Sequence, residues 1–185
     1  MSILNGDEIL ELIERGVILN AKPENVNSAS LDVTLGPRVL FEATPFPNEI
    51  FEVRLRDRKP LRMVKGSTRN GFVLFPGTFV LAETVEVFNL PPDISAEYAL
   101  NSSMARMGLE HLHAGWCDAG WHGSVLTLEL KNVTQHHRIR IQEGDTIGQV
   151  IFHRHRPVSD EFNYARKGAY NGDRYVSGAK PKKRS

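Results

Sequence analysis

Hydrophobic residues near the start of the chain recur at the spacing of an α-helix. Ile9 and Leu12 lie on one apolar stripe. Asn5 stands at a capping position, and Glu8 follows three residues later, where it can complete a capping box. Gly16 then supplies a stop signal. The pattern predicts one N-terminal helix that covers part of a hydrophobic core.

Beyond this helix the pattern changes to β-rich runs that are punctuated by proline and glycine. The runs are SASLDVTLG, GFVLFPGTFVLAETVEVF, SVLTLELKNV and HRIRIQEGDTIGQVIFHR. Two hairpins are predicted, one joining residues 72–75 to 79–87 across a Pro-Gly turn and one joining 139–141 to 147–152 across a Glu-Gly-Asp turn. We therefore predict a mainly β protein with a closed or sandwiched sheet.

The composition of the chain changes in two places. Residues 42–71 are charged, irregular and interrupted by Pro45, Pro47 and Pro60, which predicts a long excursion or an edge hairpin. From residue 164 the sequence is polar, Gly-rich and finally basic, which predicts a mobile tail that ends in a solvated PKKR segment. A length of 185 residues with 41% hydrophobic content suits one domain. We place that domain at residues 1–160 and a flexible tail, able to close over a ligand, at residues 161–185.

Charge and cysteine content exclude several classes of protein. The 23 basic and 22 acidic residues nearly cancel, so no overall field draws the chain onto nucleic acid or an anionic membrane. Cys117 stands alone, which excludes an internal disulfide framework and a multi-Cys zinc site. The start of the chain lacks the order of a signal peptide, and no apolar run reaches the ~20 residues that span a bilayer. We expect a soluble, cytoplasmic protein.

Ser102, Ser103 and Arg106 form a polar group in the stretch that tells most about function, residues 101–132. Hydroxyl and backbone N–H groups in a turn, next to a guanidinium, can bind an anion. The same residues also fit a short capped helix with a solvated arginine. Spacing alone leaves both interpretations open.

Two carboxylates follow in the same stretch. Asp118 precedes two glycines in a loop just before a strand, which either brings backbone close to a sugar or is an ordinary loop. Glu129 interrupts an apolar run, and a carboxylate buried in a core strand needs a partner or a purpose. By strict alternation, however, Glu129 shares a face with Val125 and Thr127 and could point to solvent. Both questions stay open at this point.

The seven histidines raise the question of a metal site. His111-x-His113 and His153-x-His155 each put two imidazoles on one side of a strand. No HExxH or Cys-x-x-Cys motif accompanies them, so the pattern does not indicate a protein-bound zinc. The H-x-E and P-C-x-x-C signature of zinc-dependent base deaminases is absent, which excludes that class.

Several motifs, taken in order, resemble a known family. SSMARMGL, AGWCDAGWHG, LTLELKN and GDTIGQVIF look like the motifs of the dCTP deaminase family, relatives of the trimeric dUTPases. SLDVTLG and FVLFPGTFVLAETVEVFNLP extend the resemblance upstream, so that it covers most of the chain up to about residue 152. The resemblance implies a distorted β jelly roll with an N-terminal helix. It also implies a homotrimer with active sites between subunits and Mg²⁺ bound through the nucleotide phosphates.

The resemblance assigns catalytic roles to four residues. Glu129 matches the carboxylate that takes a proton from the water attacking C4 of cytosine and passes protons to N3 and the leaving ammonia. Ser102 matches the hydroxyl that helps to hold this water, and Ala114 matches a small residue whose backbone holds water and base. Arg106 matches the guanidinium next to the carboxylate, where it favours the charged form.

The resemblance also implies a set of nucleotide-binding residues. Asp118 falls where the family has an Asp near the deoxyribose, and in dUTPases this residue activates water toward the α-phosphate. The form AGW-x-DAG resembles the bifunctional members, which convert dCTP to dUMP. The full predicted set is Ser103, Trp116, Asp118, Trp121, Gln149, Tyr164 and Tyr170.

The chain departs from the family pattern at several positions. Asn101 stands where the family has a phosphate-contacting Arg, and Ala169 and Asp173 stand where the tail usually carries Lys and Gln. His113 replaces a usual Thr. Asp118 and Glu129 are one residue further apart than the family pattern, so a β-bulge must absorb one position if Glu129 is to face the pocket.

The sequence therefore predicts zinc-independent hydrolytic deamination of a cytosine deoxynucleotide, from dCTP to dUTP, and leaves open whether the same enzyme continues to dUMP. One alternative is a dUTP diphosphatase that uses Asp118 and magnesium. The other is a nucleotide-binding or purely structural trimer without turnover. Neither nucleic acid nor a membrane is expected as a partner.

Overall fold

A computed structural model describes residues 2–43 and 50–180, and within them the chain is mainly β, as predicted. Two single 3₁₀ turns, Pro23–Asn25 and Leu55–Asp57, lie in the connections. The strands and helices in chain order are β1 Ser2–Ile3, α1 Gly6–Glu14, β2 Ile18–Leu19, β3 Leu31–Glu42, β4 Met63–Ser67, β5 Phe72–Leu74, β6 Phe79–Asn89, β7 Ile94–Leu100, α2 Ser102–Arg106, β8 Leu109–His111, β9 Trp116–Cys117, β10 His122–Asn132, β11 Ile139–Ile141, β12 Thr146–Arg154 and α3 Tyr164–Lys167.

Helix α1 forms where the apolar stripe predicted it. The side chain of Asn5 accepts the N–H of Glu8 at 3.0 Å, and the Glu8 carboxylate accepts the N–H of Asn5 at 3.1 Å. This reciprocal pair satisfies donors that the first helical turn leaves open. Ile9 and Leu12 are buried against the sheet, and Gly16 adopts a φ of +70° just after the helix end. The prediction of a capped helix that covers the core is confirmed.

One large antiparallel sheet contains most of the strands. Its central order is β8-β10-β6-β3-β12-β7-β9, with β1 on β12, β2 on β6 and β4 on β3. Strand β4 pairs with β3 from Glu42↔Met63 to Arg38↔Ser67, so the charged stretch leaves from and returns to a sheet edge, as predicted. Residues 44–49 of that excursion, with Pro45 and Pro47, lie outside the described residues, as does the basic ending at 181–185.

Both predicted hairpins are wrong in their pairing. The two turns do form, with φ of +80° at Gly77 and +89° at Gly144. However, β5 pairs with β11 in a separate two-stranded sheet, whereas β6 and β12 belong to the large sheet. Each turn therefore carries the chain from one sheet to the other. The long strands β6 and β12 gain more burial by pairing with long central strands than with their three-residue neighbours.

The core lies on the inner faces of the curled sheet, under α1. Its largest fully buried side chains are Phe88, Phe152, Leu4, Ile9, Leu12, Ile18, Leu31, Leu35, Leu74, Ile94, Leu128 and Leu130. Residues 164–180, which we call the C-terminal arm, run back over the outer edge of β10. Backbone bonds fix this path, because the N–H of Val125 donates to the carbonyl of Asp173 at 2.9 Å. The mobility of the tail stays a prediction.

Candidate active site

A cavity of about 720 Å³ lies between the outer face of β6 and β10, the C-terminal arm and residues 53–63, which we call the basic segment. Seven of the predicted site residues line it. They are Ala114, Trp116, Asp118, Trp121, Glu129, Tyr164 and Tyr170. The cavity is large enough for a small-molecule ligand and combines aromatic walls with a few polar groups.

Glu129 reaches this cavity because β10 is irregular. The strand pairs with β6 as His122↔Asn89 and then Ser124↔Phe88, so β10 carries one extra residue, Gly123, between these two positions. A bulge inserts one residue and turns the following side chains to the other face. The β-bulge that the sequence required is confirmed, and the Glu129 side chain is 26% exposed inside the cavity. Beyond this bulge Val125, Thr127 and Glu129 share one face, as alternation predicted, and that face lines the cavity.

His111 is the close polar neighbour of Glu129. Its Nε2 lies 3.2 Å from Glu129 Oε2, and the imidazole is buried at 4% exposure. Their relative orientation does not meet the geometry of a hydrogen bond, and neither atom has another hydrogen-bond partner in the described residues. The ring also packs on Tyr98, with centroids 4.5 Å apart. Burial raises the pKa of the Tyr98 hydroxyl, and the nearby charge of Glu129 raises it further.

The sequence drew attention to His111 only as one half of a possible metal pair. In the structure its partner is a carboxylate instead. Among residues 2–43 and 50–180, no group of three or more His, Cys, Asp or Glu side chains is arranged to hold a metal ion. The available signal was a histidine close in sequence to a strand with a predicted catalytic carboxylate, but only the strand pairing shows that the two meet.

Asp118 lies at the mouth of the cavity, where its side chain is exposed. Trp116 Nε1 donates to Asp118 Oδ1 at 3.0 Å and fixes one carboxylate oxygen. Between them, Cys117 is buried, and burial together with the charges of Asp118 and Glu129 raises the pKa of its thiol to about 12. The thiol is therefore protonated at neutral pH and is not a nucleophile here.

Gly120 lets the C-terminal arm approach this loop. Its φ is +86°, and a Cβ at this position would lie 1.9 Å from the side-chain oxygen of Asn163. The N–H of Tyr164 donates to the carbonyl of Ala119 at 3.1 Å, so the arm begins directly on the loop. Burial raises the pKa of Tyr164, whose side chain lines the cavity.

Trp121 supports the arm from below. It is buried and stacks on Phe88, with ring centroids 5.6 Å apart and planes 19° apart. Its Nε1 donates to the carbonyl of Tyr170 at 3.1 Å, and the hydroxyl of Ser124 donates to the same carbonyl at 2.8 Å. The loop, β10 and the arm are thus joined at one point.

Charged side chains surround the cavity on both sides. Asp118, Glu129 and Asp173 are acidic, while Arg54, Arg58, Lys59 and Lys180 are basic. Two of these cations have partners, because Arg54 pairs with Glu52 and Lys180 pairs with Asp173. In the part of the chain that the structure describes, no carboxylate lies within ion-pair distance of Arg58 or Lys59.

Four predicted site residues lie elsewhere in the chain. Ser102, Ser103 and Arg106 are exposed on α2, outside the cavity. Asn101 caps this short helix by accepting the N–H of Ser103 at 2.9 Å, which is the capped-helix interpretation of the motif. Gln149 lies on β12, where its side-chain oxygen accepts the hydroxyl of Ser30 at 2.8 Å. One chain therefore brings Glu129, Ala114 and Asp118 together without these four.

The fold is shared with a solved deaminase. The structure of 2'-deoxycytidine 5'-triphosphate deaminase from Agrobacterium tumefaciens superposes with a TM-score of 0.65 at 22% identity, over 81% of this chain and 47% of that chain. At this identity the likeness shows the fold alone, the distorted β jelly roll that the sequence predicted.

The sequence comparisons then define the family. The profile of dCTP deaminase-like proteins matches residues 3–155. The "dCTP deaminase, dUMP-forming" of Methanospirillum hungatei JF-1 is 37% identical over 92% of this chain and 91% of that protein. Proteins of the same name from Methanosphaerula palustris and Aquifex aeolicus are 33% and 34% identical, over 92% and 94% of this chain and 90% and 92% of theirs. The chain belongs to the dCTP deaminase-like family. None of its described helices has the length and apolar content to cross a bilayer.

Proposed function

We propose that this protein deaminates dCTP hydrolytically, without zinc, and carries the product on to dUMP. The observation that carries the proposal is the Glu129 carboxylate, which the bulge in β10 turns into a cavity that also contains Asp118. The relatives that match over most of the chain are named for the same overall conversion.

Glu129 is the base of the deamination step in this proposal. Water adds to C4 of the cytosine while the carboxylate accepts a proton from it, and the proton then passes to N3. The carboxylate then takes the proton of the new C4 hydroxyl and delivers it to the amino group, so that the C4–N bond breaks, ammonia leaves and the C4 carbonyl of uracil remains. Partial burial inside the cavity limits competing solvent around the carboxylate. Ala114 lines the same cavity and offers its backbone to the water and base.

We further propose that a second subunit completes the site in a homotrimer. Ser102 and Arg106 are exposed on α2 and do not reach the cavity of their own chain. Large apolar side chains near α2 and β8 are also exposed, with Met107 at 62% and Leu112 at 49%. An exposed apolar surface next to polar side chains that lack a site in their own chain supports an interface at this face.

Mixing two inactive variants tests the shared site. Arg106→Ala and Glu129→Gln remove groups that the proposal places on different subunits. Random reassembly at equal amounts regenerates intact sites and restores about a quarter of wild-type activity. If both groups act within one subunit, the mixture stays inactive.

The second step, from dUTP to dUMP, is assigned to Asp118. Its carboxylate is exposed at the cavity mouth, and one oxygen remains available beside the bond from Trp116. Magnesium on the phosphates fits this donor set, since Mg²⁺ binds through one or two carboxylates together with substrate phosphates. Bound there, the ion would neutralise part of the phosphate charge that otherwise faces acidic side chains. Asp118 would hold it and orient the water.

Positive charge for the phosphates comes from the basic segment in this proposal. Arg58 and Lys59 line the cavity and have no carboxylate partner among the described residues. A triphosphate carries several negative charges and needs such cations near a pocket that contains Asp118 and Glu129. These side chains offset the loss of positive charge at Asn101 and Ala169.

Product analysis tests the proposed function directly. The protein is incubated with Mg²⁺ and dCTP, dCMP or dUTP, and the nucleotides are resolved by chromatography. We expect dUMP and pyrophosphate from dCTP. Accumulation of dUTP instead would restrict the activity to deamination, and turnover of dUTP alone would favour the diphosphatase. Binding without any product would favour a non-catalytic trimer.

A further inference from the structure

We propose that His111 is a positioning residue that holds the Glu129 carboxylate in its working orientation. The proposal rests on the proposed deamination, in which Glu129 is the base. The positioning role goes beyond the proposed deamination, because neither the motifs nor the family resemblance assign a role to this histidine. The argument depends on the strand pairing, on the surroundings of the carboxylate and on the rigidity of the imidazole.

The strand pairing places the two side chains next to each other. His111 is the last residue of β8 and stands opposite Leu130 of β10, one position after Glu129. The N–H of Leu112 donates to the carbonyl of Glu129 at 3.2 Å, so the chain after His111 is tied to the backbone of the carboxylate residue itself. Nε2 and Oε2 are 3.2 Å apart, which is a hydrogen-bonding distance once the N–H points at the oxygen.

Glu129 has little else within its own chain to orient it. No hydrogen bond to its carboxylate from another described side chain is present, and Ser102 and Arg106 lie outside the cavity. An unrestrained glutamate samples several rotamers, and catalytic groups need to be held within about 0.5 Å of the productive position. His111 is therefore the contact that restricts this side chain before substrate or a second subunit arrives.

The imidazole is itself rigid, which a positioning group must be. It is buried at 4% exposure and packs on the ring of Tyr98 at 4.5 Å. A proton on Nε2 donates to Oε2 and leaves Oε1 available to accept from water. The charged or titratable groups that face the imidazole are Glu129 from β10 and Tyr98 from β7.

Two substitutions separate the hydrogen bond from the volume of the ring. His111→Phe keeps an aromatic group against Tyr98 but removes the donor, and we expect kcat for dCTP deamination to fall about 10-fold or more with KM changed less than about 2-fold. His111→Gln retains a donor and should recover part of that loss. The matched control is His136→Phe, because His136 is exposed and lies outside the cavity. It should leave kcat unchanged.

A readout without turnover keeps this test independent of the proposed function. The ¹⁵N shifts of the His111 imidazole are followed by NMR in the wild type and in Glu129→Gln. Pairing predicts that this substitution changes the Nε2 signal of His111 while leaving that of the distant His136 unchanged. Identical His111 signals, or a wild-type kcat in His111→Phe, would overturn the positioning role. A wild type that binds dCTP without deaminating it, yet shows the NMR coupling, would overturn the proposed function instead.

Discussion

Glu83 is a buried carboxylate that fastens the C-terminal arm to the sheet. Its Oε2 accepts the N–H of Val176 at 2.8 Å, and its Oε1 accepts from Arg38 Nη1 at 3.0 Å. Arg38 lies over the ring of Tyr175, 3.9 Å from the centroid. The carboxylate therefore holds two consecutive residues of the arm, one directly and one through Arg38. We predict that Glu83→Gln loosens this attachment.

The size of the effect follows from the two contacts. Hydrogen bonds to charged groups contribute about 1.5–3 kcal/mol and neutral ones about 0.5–1.5 kcal/mol. Glu83→Gln replaces the carboxylate by a neutral amide, so the buried hydrogen bond from Val176 becomes weaker by about 1 kcal/mol. Arg38 is half exposed, and such a pair contributes about 0–1 kcal/mol. The total of about 1–2 kcal/mol corresponds to about a 5- to 30-fold increase in opening of the arm.

Limited trypsin digestion measures this opening, since Arg174 lies in the arm. Cleavage after Arg174, timed by mass spectrometry, should accelerate by about 5- to 30-fold in Glu83→Gln when cleavage follows the open population. Arg38→Gln is the comparison, because it removes the half-exposed pair and the contact with the Tyr175 ring but keeps the buried bond from Val176, so it should accelerate cleavage less than Glu83→Gln does. Equal cleavage rates in the wild type and Glu83→Gln would refute the reasoning.

Four further outcomes are expected. Glu129→Gln should keep the circular dichroism spectrum but lose at least about 100-fold in ammonia release, because the base is gone. Arg58→Ala should raise KM for dCTP by about 5-fold at low salt, and raising the ionic strength should shrink that effect. With its thiol pKa at about 12, Cys117 should resist iodoacetamide at neutral pH and react only in urea. Burial raises the pKa of Glu86 above its ordinary 4.5, so the folded state favours the protonated form. Protonated Glu86 therefore adds to the free energy of unfolding below pH 4.5, and this stabilisation is lost as the pH rises through the raised pKa. Urea titrations of Glu86→Gln should lack that pH-dependent loss of stability.

Local features of the fold could be predicted from residues that are close together in the sequence. The helix α1 depends on Asn5, Glu8 and a stripe of apolar side chains within a few turns, so its cap and its end were predictable. The bulge in β10 was predictable for a different reason, because the spacing between Asp118 and Glu129 required it. The two hairpins were not predictable from the turns. Turn residues fix a change of direction, but burial against distant strands decided the partners of β5 and β11.

Some residues of the site could be predicted from the motifs, and others could not. The motifs identified Glu129, Ala114 and Asp118, and the structure brings all three to one cavity. His111 and the basic segment could not be assigned to the site from spacing. His111 meets Glu129 only because β8 pairs with β10, and residues 53–63 reach the cavity only through a long excursion. The position of Ser102 and Arg106 outside the cavity was equally invisible in the motif.

By itself the sequence determined which elements form and which chemical groups the chain carries, because capping, hydrophobic period and motif order act over short separations. Only the tertiary structure decided which of those groups meet. Three features join residues that are distant in the chain: the His111–Glu129 pair, the hydrogen bond from the arm to Glu83 and the two-stranded sheet. Such contacts arise from the packing of whole strands against one another, and no local pattern encodes that packing.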